Sequence, residues 1–238
     1  MNQIETVELG PVKTWSYSAL KVFEECPQRT YLSRVEKQPE KSSAALDRGN
    51  AIHTLAEDYV QGVIDEMPKE LKNHKKDFER LRQLYADGIV EVEGDWAVDL
   101  EWQPTGWFDD DCWGRIKLDV FVREDETSAR VIDHKTGKKY PIPHTSQAQQ
   151  YCIASFLRYP ELQFIQAEFW YLDIKDETQH KLIKSYTRDQ AMLFLPKLNE
   201  RALAMTTCKE FLPKPSKYTC KWCPHNSEGN GSCGWSEV

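Results

Sequence analysis

The sequence has no long apolar run, no internal repeat, and no linker that would separate two domains. Without about 20 consecutive apolar residues there is no candidate membrane-spanning helix. The opening MNQIETVELG has neither the basic start nor the apolar core of a secretory signal, so a cytosolic protein is expected. Positive charge is also in short supply. Thirty-one Lys and Arg face 38 Asp and Glu, a net charge of -7. That excludes a protein that coats nucleic acid through bulk charge and leaves room only for a local basic groove. The acidic runs at 109–111 and 124–126 read as solvated loops.

What is present suits an ordinary globular protein: 238 residues, 40% hydrophobic and 29% charged, enough for one sizeable core with a small appendage. In a reducing compartment the seven cysteines are not a disulfide framework. Cys112, Cys152 and Cys208 read as small buried hydrophobes. Cys26, Cys220, Cys223 and Cys233 form a separate set.

Along the chain, residues 1–14 read as an irregular lead-in. SYSALKVFEECPQRTYLSRV has helical spacing through Leu20, Phe23, Tyr31 and Val35, broken at Pro27, with Ser16 or Ser18 as cap. Residues 38–47 read as a loop. RGNAIHTLAEDYVQGVID reads as an amphipathic helix with Ile52, Leu55, Ala56, Tyr59 and Val63 on one side, and 68–93 carries a charged helix. From about 94 the pattern turns to strands: DWAVDLEWQPTGW, CWGRIKLDVFVRE and ARVIDHKTG. TSQAQQYCIASFLRY is helical again, IQAEFWYLDI and HKLIKSYT are strands, and RDQAMLFLPKLNERALAM is a helix. The expectation is an α/β fold, a mixed central sheet flanked by helices. It reads as a single domain: a helical part at 15–93, sheet and helices at 94–205, and a cysteine-rich tail at 206–238 folded back on it.

The chemistry concentrates in VIDHKTG, residues 131–137. In GRIKLDVFV an apolar face alternates with one carrying Asp119, and in the next strand Val131, Asp133 and Lys135 share a face. A hairpin turn centred near Glu126 would set residue 119 opposite 133. Cross-strand neighbours on one face have Cβ atoms roughly 4.5–5.5 Å apart. Two carboxylates at that separation repel, and one has its pKa raised. A divalent cation between them removes the cost, and such oxygen ligands suit Mg²⁺ or Mn²⁺. Lys135 would point into the same site, to orient an attacking water or stabilise charge on a scissile phosphate. His53 and Glu57 share a helix face, as do Gln147 and Tyr151.

The tail KYTCKWCPHNSEGNGSCGW brings a C-x-x-C pair and a third cysteine, Cys233. A fourth ligand could be His225, giving a Cys₃His zinc site. It could instead be Cys26 of EECPQR, giving the four thiolates usual for a 4Fe–4S cluster.

The ordered set SYSALKVFEECP, RGNAIH, GRIKLD, VIDHKTG and QAQQY resembles the PD-(D/E)XK nuclease superfamily, in its RecB-type branch with an iron–sulfur cluster, which includes CRISPR adaptation nucleases, AddB-type subunits and phage recombination exonucleases. The resemblance implies a restriction-endonuclease-like fold. It implies His53, Asp119 and Asp133 as Mg²⁺ or Mn²⁺ ligands, Lys135 as the catalytic lysine, and Gln147 and Tyr151 supporting the site. Leu118 stands where the pattern has Pro, and Asp133 where it often has Glu. It implies too that Cys26, Cys220, Cys223 and Cys233 hold a 4Fe–4S cluster stapling the tail to the first helix, with zinc as the alternative. The expected function is a metal-dependent deoxyribonuclease, an exonuclease on single-stranded DNA or duplex ends, in recombination, repair or phage DNA processing with partner proteins of those pathways. The alternative is a catalytically silent nucleic-acid-binding subunit. Arg115, Lys117, Lys138, Lys139 and Tyr140, which flank the acids, are the candidate DNA contacts. Arg29 and Arg34 are further ones, with Trp15, Trp107 and Trp113 as stacking candidates. No sequence-reading motif is present, so backbone recognition is expected.

Overall fold

A computed structural model of the protein describes residues 7–40 and 42–238. The first six residues of the expected lead-in, and residue 41 of the expected loop, lie outside the described residues. The chain forms two compact units, one of residues 1–42 and 197–238, the other of residues 43–196.

In the first unit, α1 (Tyr17–Glu25) is capped by Ser16, whose hydroxyl accepts the Ala19 N–H at 3.4 Å. Pro27 lacks an amide hydrogen, so it stops α1 and opens α2 (Pro27–Thr30) at the first position, where no donor is needed. The N-terminal helices and the segment after residue 200 meet here. Arg201 on α7 (Leu195–Thr206) grips the Glu24 carboxylate with Nε at 2.5 Å and Nη2 at 3.0 Å. Phe211 packs between Phe23 and Tyr31, at ring-centroid distances of 6.2 and 5.6 Å. Gly10 donates to the Thr206 carbonyl at 2.6 Å, and a Cβ there would lie 2.4 Å from the Cys208 carbonyl oxygen, so only glycine fits. A short α8 (Lys217–Lys221) follows, capped by Ser216.

The second unit is a six-stranded sheet in the order β2-β1-β3-β4-β5-β6. Its strands are β1 (Val90–Val98), β2 (Pro104–Thr105), β3 (Gly114–Arg123), β4 (Ser128–Lys135), β5 (Phe164–Tyr171) and β6 (Lys181–Thr187). Neighbours are antiparallel except β4 and β5, which run parallel, with α5 (Pro141–Arg158) as the crossover. The expected mixed sheet with flanking helices is the fold found. α3 (Ala44–Gln61) and α4 (Lys75–Ala86) pack Ile52, Phe78 and Leu81 onto Val120, Val122, Ile132 and Trp170, all at most 2% exposed.

Several boundaries differ from the periodicity. α3 starts four residues earlier than RGNAIH, because Ser43 caps it by accepting the Leu46 N–H at 3.2 Å. It stops at Gly62 in the left-handed conformation, φ 78°, which leaves Val63 67% exposed rather than on the apolar face. The charged helix over 68–93 is shorter than expected: a 3₁₀ turn at Lys69–His74, then α4, then β1 from Val90. The last expected helix is two, α6 (Arg188–Met192) and α7, separated at Leu193–Phe194 just before Pro196. Among the described residues no helix is long and apolar enough to cross a membrane.

Candidate active site

The β3–β4 hairpin has the register expected from its turn. Arg123 pairs with Ala129 and Val120 with Ile132, so the two positions of each pair are symmetric about Glu126. The ladder stops there, one step before the acids. The Asp119 carboxylate takes the place of the next ladder bond, with Oδ2 accepting the His134 N–H at 2.6 Å. Its Oδ1 faces His53 Nδ1 of α3 at 3.2 Å.

Strand alternation sends Asp133 and Lys135 to one face. Asp133 is 4% exposed. Its Oδ1 accepts from Tyr151 OH at 2.5 Å, with Gln147 Nε2 at 3.4 Å, and Gln147 also donates to the Tyr151 oxygen at 2.6 Å. Both residues come from α5, at i and i+4. Lys135 Nζ lies 2.6 Å from Asp133 Oδ2 as an ion pair without hydrogen-bond alignment, and 5.6 Å from the Phe169 ring centre. The expected site residues fall in two contact groups, His53 with Asp119 and Asp133 with Lys135, Gln147 and Tyr151, adjacent through the His134 amide that Asp119 accepts.

The acids behave as a pair. Burial first, and then the charge of Asp133, push the Asp119 carboxyl above its ordinary range, against the opposing effect of His53. Burial pulls His53 down, but the Asp119 hydrogen bond and charge more than offset it, so its pKa is raised. Burial, then the Asp133 charge, also put the Tyr151 phenol well above its ordinary value, so it remains a hydrogen-bond donor.

The structure adds residues that the sequence pattern did not single out. His134 lies between the acid and the lysine in sequence. Alternation turns its 3%-exposed ring the other way, against Phe78 and Trp170. Burial holds its imidazole neutral, with a pKa of about 3. His53, Asp119 and His134 each offer a ligand atom within 4.8 Å of the others. Asp133 is not in that tight group. Glu93 lies between the ladder pairs Val92↔Val120 and Gly94↔Leu118, across from Asp119, with φ 51°. A left-handed glutamate inside a strand carries strain of the kind held at functional sites. Its carboxylate takes Lys117 Nζ at 2.8 Å. Arg48, from RGNAIH, grips Asp173 at 2.9 and 2.6 Å, and Asp173 accepts the Gly137 N–H at 2.6 Å. This pins the turn after Lys135, where Gly137 has φ 84°. Glu57, expected in a supporting or solvent role, accepts from Gln61 at 3.0 Å.

The candidate DNA contacts divide. Arg115 donates to the Trp107 carbonyl at 2.9 Å and lies over that ring. Lys139 donates to the Gln179 and Lys181 carbonyls, both at 3.0 Å. Lys117 is tied to Glu93, whose hydrogen bond raises its pKa. Lys138 is exposed, as is Tyr140 at 56%. Trp15 and Trp113 are each 1% exposed and belong to the core.

In the first unit Cys26, Cys220, Cys223 and Cys233 line one pocket with Arg29 and Lys214. Among the described residues they do not form a group of three with ligand atoms within 4.8 Å. His225 lies outside that lining. Its Nε2 meets Ser33 at 3.0 Å and Glu40 at 3.3 Å, and its Nδ1 meets Asn230 and Ser232 at 3.0 and 3.1 Å. Both ring nitrogens of His225 are engaged by these groups. Cys112 and Cys152 are buried as expected, whereas Cys208 is half-buried and donates to the Glu210 carbonyl.

The family model described as the PD-(D/E)XK nuclease superfamily matches residues 14–111 and 113–227. No curated protein matches the chain. Solved structures that match include one titled SSO0001, at 14% identity over 97% of this chain and 89% of that one, with a TM-score of 0.45. Another is an alkaline exonuclease (LHK-Exo) from Laribacter hongkongensis, at 12% identity over 82% of this chain and 87% of that one, with a TM-score of 0.41.

Proposed function

Because the chain belongs to the PD-(D/E)XK nuclease superfamily, we propose that it is a divalent-metal-dependent deoxyribonuclease whose catalytic centre is the Asp119–Asp133–Lys135 cluster. One observation carries the reading: a buried carboxylate, Asp133, is held at one oxygen by Tyr151 and Gln147 and faced at the other by Lys135. A solvated acid on a structural hairpin has no use for that enclosure.

The residues fit a hard divalent cation. Burial and like charge raise Asp119, a cost that a cation relieves. His53, Asp119 and Asp133 would hold Mg²⁺ or Mn²⁺, with His134 and Glu93 close enough to adjust the set. When bound, the ion would lower the pKa of a water and offset charge on the phosphate. The chain supplies the rest. Tyr151 and Gln147 keep Asp133 oriented. His53 and the His134 amide hold the two oxygens of Asp119. The Lys135 ammonium stabilises charge gathering on the scissile phosphate. The exposed Lys138 and Tyr140 are the contacts we assign to DNA, the first to phosphate and the second to a base face. An exonuclease acting on single strands or duplex ends in recombination, repair or phage DNA processing is the form of the activity we favour.

We assign a structural 4Fe–4S cluster to Cys26, Cys220, Cys223 and Cys233. Four cysteines lining one pocket match the four-thiolate ligand set usual for such a cluster. The Lys214 N–H, donated to Cys26 Sγ at 3.4 Å, suits an anionic sulfur.

The test is cleavage of end-labelled single- and double-stranded DNA with Mg²⁺ or Mn²⁺, wild type beside Asp133→Ala. Metal-dependent cutting by the wild type alone supports the reading, and the product ladder gives the polarity. Equal cutting by both proteins would discard the assigned centre. Iron content and a brown colour in the same preparation test the cluster.

A further inference from the structure

Residues 211–227, FLPKPSKYTCKWCPHNS, hold three lysines and no Asp or Glu, in a chain whose net charge is -7. α8 lies in the middle of this stretch. One side of it faces inward: Cys220 is buried, and Thr219 and Cys220 line the cysteine pocket. The other side carries Lys217, Tyr218, Lys221 and Trp222, all exposed. Tyr218 is 82% and Trp222 70% exposed.

Single apolar side chains on a surface are ordinary, but these two rings form one patch. They stand four residues apart, one helical turn, where Cβ atoms are about 5–6 Å from each other. Lys217 and Lys221 repeat the same spacing beside them. Lys221 Nζ lies 5.2 Å from the Trp222 ring centre, so charge and aromatic face are presented together. Cations beside exposed aromatic faces are the two elements that hold a single nucleic-acid strand, the first meeting phosphates and the second unstacked bases. The lysines argue against a protein occupant, because the buried centres of protein interfaces are depleted in Lys.

We propose that this face of α8 binds single-stranded DNA, with Tyr218 and Trp222 stacking on bases and Lys217 and Lys221 meeting the flanking phosphates. The proposal rests on the reading of this chain as a protein that acts on DNA, and it adds a contact surface to Lys138 and Tyr140. Every base has a face that a ring can stack on, so the binding is indifferent to sequence. A duplex keeps its bases stacked on one another and offers this surface phosphates alone, so single strands are preferred.

The test uses the full chain carrying Asp133→Ala, so that bound DNA is not cut, and follows the anisotropy of a labelled oligothymidylate over a range of salt. Tyr218→Ala and Trp222→Ala should each weaken binding on the order of tenfold, the cost of losing one stacked base. Trp222→Phe, which still offers a ring, should keep most of the affinity. Lys217→Gln with Lys221→Gln should reduce the slope of log K against log salt by about 1.4, or about 0.7 for each phosphate contact on a single strand. Iron content and Tm are measured for each variant; should Trp222→Ala disturb the adjacent Cys223, Tyr218→Ala serves for the same comparison. Unchanged affinity in both alanine variants would overturn the proposal, as would a parent protein that binds no single strand. So would a dimer, seen by sedimentation, that Trp222→Ala dissolves while DNA affinity stays the same, because the patch would then join two copies of this chain. Absent cleavage by the wild type with this binding intact tells against the catalytic centre and not against the α8 surface.

Discussion

Tyr151→Phe removes one oxygen and nothing else from a residue 4% exposed. The ring keeps its place beside Phe169, and the space opened is smaller than a methyl group, so packing changes little. What is lost is the 2.5 Å hydrogen bond to Asp133 Oδ1, leaving Gln147 at 3.4 Å as that atom's other contact. A hydrogen bond to a charged group is worth about 1.5–3 kcal/mol, against about 1 kcal/mol for a neutral pair. We expect a loss of about 2 kcal/mol in a chelated, metal-free buffer, or a fall in Tm of about 4–8 °C for a protein of this size. In an Asp133→Asn background the same change should cost about 1 kcal/mol. The difference, about 1 kcal/mol, measures the charged part of the contact. Denaturant titrations of the four proteins give it directly. Equal losses in both backgrounds, within about 0.3 kcal/mol, would refute the claim that the Tyr151 hydroxyl serves the Asp133 carboxyl.

Lys135→Ala should lower the cleavage rate on the order of 10²–10³-fold, the usual cost of removing one donor to transition-state charge, with circular dichroism and DNA binding preserved. Asp119→Asn should raise the Tm of the chelated protein at pH 7. The folded pKa lies above the unfolded value of about 3.9, so stability falls as pH rises between them. The gain should vanish below about pH 4, and with it the Tm rise on adding Mn²⁺; a lower Tm at pH 7 would count against the acid pair. His134 runs the other way. Its pKa of about 3 lies below the unfolded value, so stability is lost as pH falls from about 6.5, by up to about 1.4 kcal/mol per pH unit. His134→Gln should flatten that slope. Cys223→Ser should lose iron and solubility first, and activity only through them, as read by iron assay and by the rate per folded molecule.

Much of the fold was legible because its signals are local. The alternation in GRIKLDVFV and the turn around Glu126 were enough to set the hairpin register, and QAQQY put Gln147 and Tyr151 one helical turn apart. Boundaries were harder, since a cap such as Ser43 or a stop such as Gly62 depends on one residue against a continuing periodic pattern. His134 was missed because its neighbours in VIDHKTG point to the opposite face. Glu93 was missed because an L residue with positive φ in a strand leaves no mark in a hydrophobic pattern. The Arg115 and Lys139 assignments rested on charge near the acids, and charge alone does not tell a free cation from one engaged by a backbone carbonyl.

The sequence by itself determined which chemistry this chain can carry. Asp133 and Lys135 share a face because the period of a strand is two, and the turn around Glu126 sets residue 119 opposite 133. Only the tertiary structure decided how those groups are held. His53 meets Asp119, and α5 delivers Tyr151 to Asp133, through contacts between residues 66 and 18 positions apart. Packing, not local spacing, brings such groups within hydrogen-bond reach. The same holds for His74 and His180, more than 100 residues apart, whose rings stack only because the core brings them together.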